Sequence, residues 1–462
     1  MNFTNNIFVI ILILFFIIYY LFFAPEAKIS SFKKYRLDFL VLSSIIFYMT
    51  WYPPVIVLLF YHAYLGYYFG RKLNSFRKKR LLFLIIFLSL LPLVIFKYFH
   101  FFTEYFFVKF NDIDVVLPLG LSFYTFSMIG YYIDIYYKRV EAKQTFKEIL
   151  LFIAFWPHLA AGPVLRAKNI FGSIFNNKRL SRDDITLSLI LIISGLIKKL
   201  LIADNIGAYV NSNISNGIYS MNIIDAWTTM IGFAVQIYAD FSGYSDMAIG
   251  FALLLGFRLP ANFNYPYRAK TLTEFWRRWH ISLSSWFRDY LYIPLGGSRV
   301  GKIRTYLNIM IVFVLSGIWH GNTLGFAIWG GIHGIVISLE KILYKSYIKI
   351  EQNIRWFITF IIIVIAWSFF RLDIYDATLI VKKMFGMSHS LFIKSDSPYY
   401  ELAILLMLIF PILEHKFMFY LVDNNGELKI NRNKFTIVVL FVLMFLALTY
   451  SGSPLPFIYF DF

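Results

Sequence analysis

The feature that most constrains this sequence is a succession of apolar runs, most of them long enough to cross a lipid bilayer as helices. A transmembrane helix needs about 20 apolar residues, and 59% of the 462 residues are hydrophobic while 15% are charged. Because backbone groups in hydrocarbon must bond within their own segment, such runs favour helices. The sequence therefore predicts an all-α polytopic membrane protein with about 12 crossings. The runs are 3–23, 38–52, 55–70, 81–98, 117–137, 184–204, 224–255, 305–319, 324–340, 356–372, 399–415 and 435–451.

The distribution of basic residues along the chain indicates why the net charge is +18. Such a charge suits either nucleic-acid binding or membrane topology. The segments expected on one side of the membrane carry 36 of the 44 Lys and Arg residues, and those expected on the other side carry four. The first set is 24–37, 71–80, 138–148, 166–183, 256–304, 341–355 and 416–434, and the second is 99–116, 205–223, 373–398 and 452–462. Cytoplasmic loops are rich in Lys and Arg, so we expect both termini to lie outside the cytoplasm and expect no nucleic-acid partner.

Other classes of site and segment find no support in the sequence. The strongly apolar part of the first run, 7–23, lacks the basic start and the cleavage site of a signal peptide, so the run is expected to remain as a crossing. No internal repeat or soluble domain is visible, and residues 1–462 are expected to form one membrane domain. The absence of cysteine excludes disulfides, thiolate metal ligands and a cysteine-bound intermediate. No phosphate loop or metal-binding motif is present, so no metal site is expected.

Two stretches do not fit simple crossings. Residues 155–166 contain Pro157, Gly162 and Pro163, which prevent an unbroken helix and predict a re-entrant segment. Residues 271–290 begin with Thr271 and Glu274 at capping-box spacing, and they predict one amphipathic helix at the inner membrane interface. One face of that helix, about 120° wide, would contain Trp276, Trp279, His280, Leu283, Trp286, Phe287 and Tyr290.

Two histidines are candidates for chemistry, because ionisable groups inside a bilayer are costly and are usually functional. His320 lies between two crossings, where a neutral imidazole could take a proton from a hydroxyl. The alternative is a helix-end histidine with Gly321 as its cap. His280 could take part in catalysis or only orient a neighbouring group. The histidines without a second signal are His158, His333 and His415, of which His333 is expected to pack in a glycine-rich helix.

Charged side chains near these histidines suggest binding roles. Arg277, Arg278 and Arg288 could hold the phosphates of a coenzyme, because guanidinium groups match phosphate oxygens. The alternative is anchoring to lipid headgroups. Asp240 and Asp246 lie in the crossing 224–255, about 120° apart around a helix, and therefore cannot form one carboxylate dyad. We expect them to line a cavity or to meet arginines.

The segment 456–462, Pro-Phe-Ile-Tyr-Phe-Asp-Phe, is unusually aromatic. An exposed chain end this apolar would be adhesive, so docking into the protein is expected. A docked segment could place the hydroxyl of Tyr459 at an outer cavity mouth, where it could act as a covalent carrier in a chain without cysteine. The alternative is an aromatic anchor at the membrane interface.

Several sequence blocks occur together in order over nearly the whole chain. They are Pro118–Phe126, Ala161-Gly-Pro163 with Arg166, Tyr238–Asp246, Asn262–Pro266, Phe275–His280, Trp286–Tyr290, Ile293–Gly297, Gly317–Gly321 and the Phe-x-Tyr-x-x-Phe of 457–462. With these blocks the sequence resembles the membrane-bound O-acyltransferase family, in the bacterial branch that serves alginate and peptidoglycan O-acetylation and teichoic-acid D-alanylation. One position departs from that pattern, because His158 replaces a more usual glutamine.

The resemblance implies a fold and a set of site residues. The fold would be about 12 transmembrane helices with re-entrant and interfacial helices around a central funnel. His320 would be the near-invariant histidine acting as general base or proton shuttle, His280 the second polar position and Tyr459 the acyl acceptor. We expect an acetyl-CoA donor, with no cofactor bound permanently. The substrate contacts are expected from Arg277, Arg278, Trp279, Arg288, Asp240, Asp246, Trp319 and Asn322.

The resemblance also implies a location and partners. The protein would lie in the bacterial inner membrane among its lipids, with both termini periplasmic. A periplasmic O-acetyltransferase of the SGNH type, with a Ser-His-Asp triad, would move the acetyl group onto a glycan, peptidoglycan before alginate. The rival classes are a transporter of a lipid or sugar intermediate, which broken helices also suit, and a non-catalytic membrane scaffold.

Overall fold

The protein is helical throughout most of its described length. A computed structural model describes residues 6–27, 29–50, 52–106, 118–159, 162–174, 179–387, 420–423, 427–430, 434–450 and 455–458. The chain folds into two compact units. The first unit comprises Met1–Ile192 and Met247–Pro260, and the second comprises Ile193–Asp246 and Ala261–Phe462.

The helices that begin in the first unit include several short ones joined by π or 3₁₀ turns. The α-helices are α1 Asn6–Ile18, α2 Arg36–Met49, α3 Ile56–Tyr64, α4 Gly70–Phe76, α5 Lys79–Phe106, α6 Leu121–Tyr136, α7 Phe146–Ala154, α8 Trp156–Leu159, α9 Ala167–Ile174 and α10 Arg182–Ile197. The π-helical turns are Tyr19–Phe23 and Leu65–Phe69, and the 3₁₀ turns are Ser30–Tyr35 and Pro53–Val55.

The helices that begin in the second unit include the longest of the described helices, and this unit also contains a small hairpin. These α-helices are α11 Asp204–Ser215, α12 Ile223–Leu254, α13 Leu272–Arg278, α14 Ile281–Phe287, α15 Lys302–His320, α16 Leu324–Ile342, α17 Tyr344–Tyr347, α18 Gln352–Arg371, α19 Ile374–Met384 and α20 Lys434–Thr449. The π-helical turns are Lys198–Ala203 and Arg288–Tyr292, and the 3₁₀ turns are Ile218–Ser220 and Pro266–Arg268. The strands β1 Tyr420–Val422 and β2 Leu428–Ile430 pair antiparallel, with Tyr420 opposite Ile430.

The length and composition of the helices bear on the predicted number of crossings. Among the described residues, four segments are long and apolar enough to cross a membrane, and they coincide with four of the predicted runs. These are Lys79–Phe99, Arg182–Ser215, Lys302–His320 and Gln352–Arg371. Two shorter apolar helices, Val9–Phe23 and Val438–Thr449, match the first and last predicted runs. The count of 12 is therefore not confirmed, and the run 399–415 lies outside the described residues.

A buried arginine stabilises the first unit. Arg36, at the start of α2, donates from Nε to the hydroxyl of Tyr19 at 3.0 Å and from Nη2 to the carbonyl of Leu255 at 2.8 Å. Its Nη1 donates to the carbonyl of Ile174 at 3.2 Å. A buried guanidinium is tolerated because its N–H groups find acceptors. Arg36 thereby ties together three parts of this unit that are distant in sequence.

The segment 155–166 is broken as predicted. Helix α8 is one turn, and residues 163–166 are not helical before α9 begins at Ala167. His158 is fully buried, and its Nε2 lies 3.4 Å from the carbonyl oxygen of Phe152. A Cβ on Gly162 would lie 2.5 Å from the α-carbon of His158, so only glycine fits this return of the chain. Residues 160 and 161 lie outside the described part of the chain.

The prediction of one helix over 271–290 is wrong. Helices α13 and α14 are separated at Trp279, which is extended, and at His280, whose φ of 43° is left-handed. The segment 262–264 pairs with the break, because the N–H of Asn264 donates to Arg278 O at 2.9 Å and that of Ile281 donates to Asn262 O at 2.8 Å. These tertiary hydrogen bonds satisfy backbone groups that a continuous helix would have paired internally.

The predicted start of this region is confirmed, whereas its single aromatic face is not. The Oγ1 of Thr271 accepts from the N–H of Glu274 at 2.9 Å, so the cap lies where the sequence placed it. The seven residues assigned to one face are divided among α13, the break, α14 and the π-helical turn Arg288–Tyr292. The directions of the Trp279 and His280 side chains are therefore set by the non-helical backbone between α13 and α14.

Helices α15 and α16 approach closely through glycines. A Cβ on Gly317 would lie 2.1 Å from the carbonyl oxygen of Phe326, and one on Gly330 would lie 2.2 Å from that of Phe313. Small residues at such positions allow two helix backbones to come together. This contact holds the end of α15, where His320 lies, against α16.

Candidate functional site

His280 is held by a buried asparagine. Its Nδ1 lies 3.1 Å from the Oδ1 of Asn262, which also accepts from the hydroxyl of Ser282 at 2.7 Å. The Nδ2 of Asn262 donates to the Oγ of Ser245 at 3.1 Å, and the backbone N–H of Ser282 donates to Oδ1 at 3.3 Å. The backbone donor fixes which end of the amide is the oxygen. The four side chains form a buried polar cluster within the second unit.

This cluster sets the chemistry of the His280 ring. Because Asn262 offers an oxygen, Nδ1 carries the proton in the neutral ring and Nε2 keeps its lone pair. Burial lowers the pKa of the His280 imidazole to about 3, so the neutral form is the one present at pH 7. A neutral ring with a fixed tautomer is suited to accept a proton or to orient a donor at Nε2.

His320 lies at the end of α15 in aromatic surroundings. The imidazole is 3% exposed and packs edge to face against Trp329 and Phe370, with ring centroids 5.2 and 5.3 Å away. The next residue is Gly321, where a Cβ would overlap the ring of Phe326. The rings of Trp329 and Phe370 thus pack against the imidazole, and Gly321 leaves room for the ring of Phe326.

One indole lies against both histidines. The ring centroid of Trp319 is 4.8 Å from that of His320 and 6.4 Å from that of His280. The two histidines, 40 positions apart in sequence, therefore belong to one buried cluster. The structure thus brings together His280, His320 and Trp319, three of the residues that the sequence singled out.

His333 extends the same aromatic cluster. Its Nδ1 accepts a hydrogen bond from the Nε1 of Trp276 at 3.3 Å, and its ring lies 4.8 Å from that of Trp329. It is buried in α16, the glycine-rich helix where the sequence places it as a packing residue.

The three arginines differ in their surroundings. Arg277 is exposed. Arg278 is engaged by Glu274, with 2.8 Å between Nη2 and Oε1, and its Nη1 donates to the carbonyl of Asn264 at 3.1 Å. Arg288 is exposed and pairs with Asp289 at 2.7 Å. Arg277 and Arg288 therefore reach the surface, whereas Arg278 also supports the break between α13 and α14.

Asp240 and Asp246 meet lysines, which corrects the expectation of arginine partners. Asp240 is 2.9 Å from the Nζ of Lys199, and Asp246 is 2.9 Å from the Nζ of Lys198. Asp246 also accepts from the hydroxyl of Tyr420 at 2.9 Å. The prediction that the two acids form no dyad is confirmed, because each has its own lysine.

The aromatic segment near the end of the chain docks in its described part, 455–458. Phe457 and Ile458 are each 4% exposed, and the ring of Phe457 lies 4.7 Å from that of Tyr244. The ring of Phe241 lies between this segment and the site, 5.9 Å from Phe457 and 4.7 Å from His280. Tyr459 itself lies outside the described residues, as does His415.

The remaining two predicted site residues, Trp279 and Asn322, differ in how deeply their side chains are buried. Trp279 is buried among aromatic rings, 5.2 Å from the ring of Trp367 and 5.1 Å from that of Phe263. Asn322 is half-buried, directly after Gly321. Trp279 thus contributes to the packing beneath the site, and Asn322 lies nearer the surface.

Several buried polar residues were not found from the sequence. They are Asn262, Ser245, Ser282, Lys198, Lys199, Asp204 and Tyr420. For the lysines a signal existed, because they interrupt the apolar run 184–204 and an uncompensated charge there requires an acidic partner. For Asn262 the partners lie 17 to 20 positions away in the sequence, so no local spacing reveals them.

Comparison with known proteins identifies the family of this chain. The model of the membrane-bound O-acyltransferase family matches residues 141–375, which include the break at Trp279, both histidines and the lysine pair. The chain therefore belongs to the membrane-bound O-acyltransferase family, as the resemblance in the sequence indicated. Together with its long apolar helices, this membership identifies a membrane protein.

Individual relatives come from the branch that the sequence resembles. A probable alginate O-acetylase of Pseudomonas syringae pv. tomato is 43% identical over 258 residues, covering 56% of this chain and 49% of the relative. A peptidoglycan O-acetyltransferase of Helicobacter pylori is 35% identical over 333 residues, covering 63% of this chain and 62% of the relative. A teichoic acid D-alanyltransferase of Bacillus subtilis is 26% identical over 252 residues, 53% of this chain and 62% of the relative. The chain thus spans about half the length of the alginate relatives that it matches.

Proposed function

We propose that this protein is an O-acetyltransferase that takes acetyl from a cytoplasmic thioester, acetyl-CoA, and passes it through the membrane for O-acetylation of a cell-envelope glycan. The observation that carries the proposal is the pair of buried imidazoles, His280 and His320, on one indole within the part of the chain that matches the family. An imidazole in a water-poor site can move a proton without releasing it to solvent.

The proposed reaction is an exchange of esters. The imidazole of His320 takes the proton of an acceptor hydroxyl, whose oxygen attacks the thioester carbonyl. A C–O bond forms, the C–S bond breaks, and the proton passes from the imidazolium to the departing thiolate. The products are an acetyl ester and free coenzyme A. His280, with Nδ1 held by Asn262, would orient or share that proton through Nε2.

Tyr459 is the proposed first acceptor on this chain. The docking of residues 455–458 beside Phe241, a neighbour of His280, supports this role because it brings the preceding residues near the site. A separate periplasmic enzyme of the SGNH type would then take acetyl from tyrosine to a glycan hydroxyl and return the tyrosine to its free form. Moving acetyl alone avoids carrying a charged coenzyme through hydrocarbon.

The arginines and the fold complete the proposal. Arg277 and Arg288 are exposed and would bind the coenzyme phosphates on the cytoplasmic side. About 12 crossings around a funnel, in the bacterial inner membrane with both termini periplasmic, would give the two substrates access from opposite sides. Relatives are named for peptidoglycan and for alginate, and we propose peptidoglycan as the acceptor to test before alginate.

The test uses the full chain in lipid vesicles with radiolabelled acetyl-CoA. We expect time-dependent covalent label on the protein and release of free coenzyme A, with loss of both in a His320→Ala variant. A transporter would move label across the membrane without a covalent product, and that result would overturn the proposal. Mass spectrometry of wall sugars and exopolysaccharide, with and without the gene, then assigns the glycan.

A further inference from the structure

The segment 455–458 is held by one buried ion pair through its backbone. The Nζ of Lys199 donates to the carbonyl oxygen of Leu455 at 2.9 Å. The N–H of Ile458 donates to the Oδ2 of Asp240 at 2.7 Å, and Lys199 and Asp240 lie 2.9 Å apart. The pair therefore contacts the segment at both of its ends, once as donor and once as acceptor.

The ammonium group of Lys199 is surrounded by three oxygen atoms. An ammonium group has three N–H donors. The Nζ lies 2.8 Å from Asp204, 2.9 Å from Asp240 and 2.9 Å from the Leu455 carbonyl, and the side chain is 6% exposed. Burying a charge is costly unless every such group is satisfied. The segment supplies one of the acceptors that this lysine needs.

The charges around Lys199 also favour a donor from the segment. Asp204 and Asp240 are two carboxylates that contact the same lysine. A hydrogen bond from a backbone N–H to a buried carboxylate is among the stronger kinds. The Ile458 N–H therefore stabilises the cluster, and the cluster in turn stabilises the docked segment.

Space for the segment is provided by a glycine of α11. A Cβ on Gly207 would lie 2.6 Å from the Cδ1 of Leu455. On the other side, Phe457 fills a place between the rings of Tyr244 and Phe241. The two backbone hydrogen bonds fix where the segment lies along the protein. The packing of Phe457 between the two rings fixes which face of the segment points inward.

The neighbouring Lys198 forms its own ion pair with Asp246, and this pair contacts a different segment. Lys198 and Asp246 contact the hydroxyl of Tyr420, in β1, at 3.4 and 2.9 Å. Two adjacent lysines of one π-helical turn thus bind two segments that are distant in sequence. π-Helical turns inside longer helices often mark functional positions.

We propose that Lys199 and Asp240 are positioning residues that hold the segment 455–458 so that Tyr459 is presented to the acetyl-transfer site. This inference rests on the proposed function and adds to it the groups that set the acceptor in place. Both contacts are made to the backbone, so they depend on the lysine and the aspartate and not on the chemistry of the side chains at 455 and 458.

The test exploits the absence of cysteine from the chain. A single Ile458→Cys reporter is placed in the full-length protein, and its reaction with N-ethylmaleimide is followed in membrane vesicles. Ile458 is buried, so the thiol reacts only when the segment opens. With Lys199→Met added, we expect labelling to accelerate at least about tenfold, as loss of a buried charge-assisted hydrogen bond implies.

A matched control separates docking from general loosening. Lys383 is another buried lysine of the same unit, and it donates to the carbonyls of Tyr219 and Met221 at 2.7 and 2.9 Å. Lys383→Met makes the same chemical change away from the segment and should leave labelling at 458 within about twofold. A second reporter, Ile337→Cys at a buried position of α16, should react at an unchanged rate in the Lys199→Met protein.

The outcomes distinguish this inference from the proposed function. Unchanged labelling at 458 in Lys199→Met, or equal acceleration at 337, would overturn the positioning role while leaving acetyl transfer intact. Accelerated labelling in a protein that forms no acetyl ester would instead leave the docking correct and remove the reaction it serves. The positioning role requires both accelerated labelling and reduced ester on the peptide containing Tyr459.

Discussion

The Nδ1 of His280 lies 3.1 Å from the Oδ1 of Asn262, and this contact fixes the tautomer of a buried imidazole. The asparagine is itself oriented by the backbone N–H of Ser282 and by Ser245. We therefore expect Asn262→Ala to lower acetyl transfer by about 10- to 100-fold, since the ring loses a buried partner and its orientation.

The measurement for Asn262 is the initial rate of acetyl transfer per folded molecule, from the radiolabelled donor. The comparison is Ser285→Ala, which removes a hydroxyl that donates to the carbonyl of Ser282 at 2.9 Å and does not touch the imidazole. That variant should transfer acetyl at a rate within about twofold of the unchanged protein. Equal losses in the two variants would mean that the asparagine acts only through local packing.

His320 provides a more severe test. His320→Ala removes the proposed base, and a general base contributes about 10²- to 10⁴-fold to a rate. We expect transfer to fall by that factor while the protein still inserts into the membrane. Quantification of labelled ester and of inserted protein in the same sample checks both statements.

A control histidine separates chemistry from loss of a buried ring. His62 is fully buried in the first unit, and its nitrogens lie 2.9 and 3.2 Å from the carbonyl oxygens of Leu58 and Ser89. His62→Ala should reduce the amount of folded protein, because it removes a buried ring and its hydrogen bond to a backbone carbonyl, but not the transfer rate per folded molecule. Normal transfer by His320→Ala would exclude the imidazole as the base.

The proposed acceptor can be changed without changing its ring. Tyr459→Phe removes one oxygen and keeps an aromatic side chain for any anchoring role. We expect the peptide that contains position 459 to lose its acetyl ester and glycan acetylation to stop. Mass spectrometry of that peptide and of the wall sugars measures the two effects separately, and glycan acetylation that persists would favour the anchor.

The parts of this fold that could be predicted from the sequence depend on neighbouring residues. The cap at Thr271 was predicted because its partner, Glu274, is three positions away. The broken helix at 155–166 was predicted because proline and glycine act on their own backbone. The apolar runs could be found for the same reason, since a helix that crosses a membrane requires consecutive apolar residues.

The parts that could not be predicted depend on distant residues. The break at Trp279 and His280 is stabilised by backbone hydrogen bonds to residues 262–264. No residue pattern within 271–290 indicates this break. Lys199 and Leu455 are 256 positions apart, so their hydrogen bond is invisible to any local pattern. The site was only partly predicted, because the sequence indicates the histidines, whereas the asparagine that contacts His280 has its partners 17 to 20 positions away.

The close contact of α15 with α16 gives a prediction about stability that needs no assumption about function. Gly330 and Gly331 are adjacent in α16, but a Cβ on Gly330 would lie 2.2 Å from the carbonyl oxygen of Phe313, whereas nothing lies within 4 Å of a Cβ on Gly331. Gly330→Ala should therefore destabilise the protein by about 1–3 kcal/mol through overpacking. Gly331→Ala should be neutral or stabilise the helix by up to about 1 kcal/mol, because alanine has the higher helix propensity. Thermal unfolding of the two variants in the same detergent measures the difference. Equal midpoints would show that the helices can separate at this point without cost, and the placement of His320 by this contact would then be wrong.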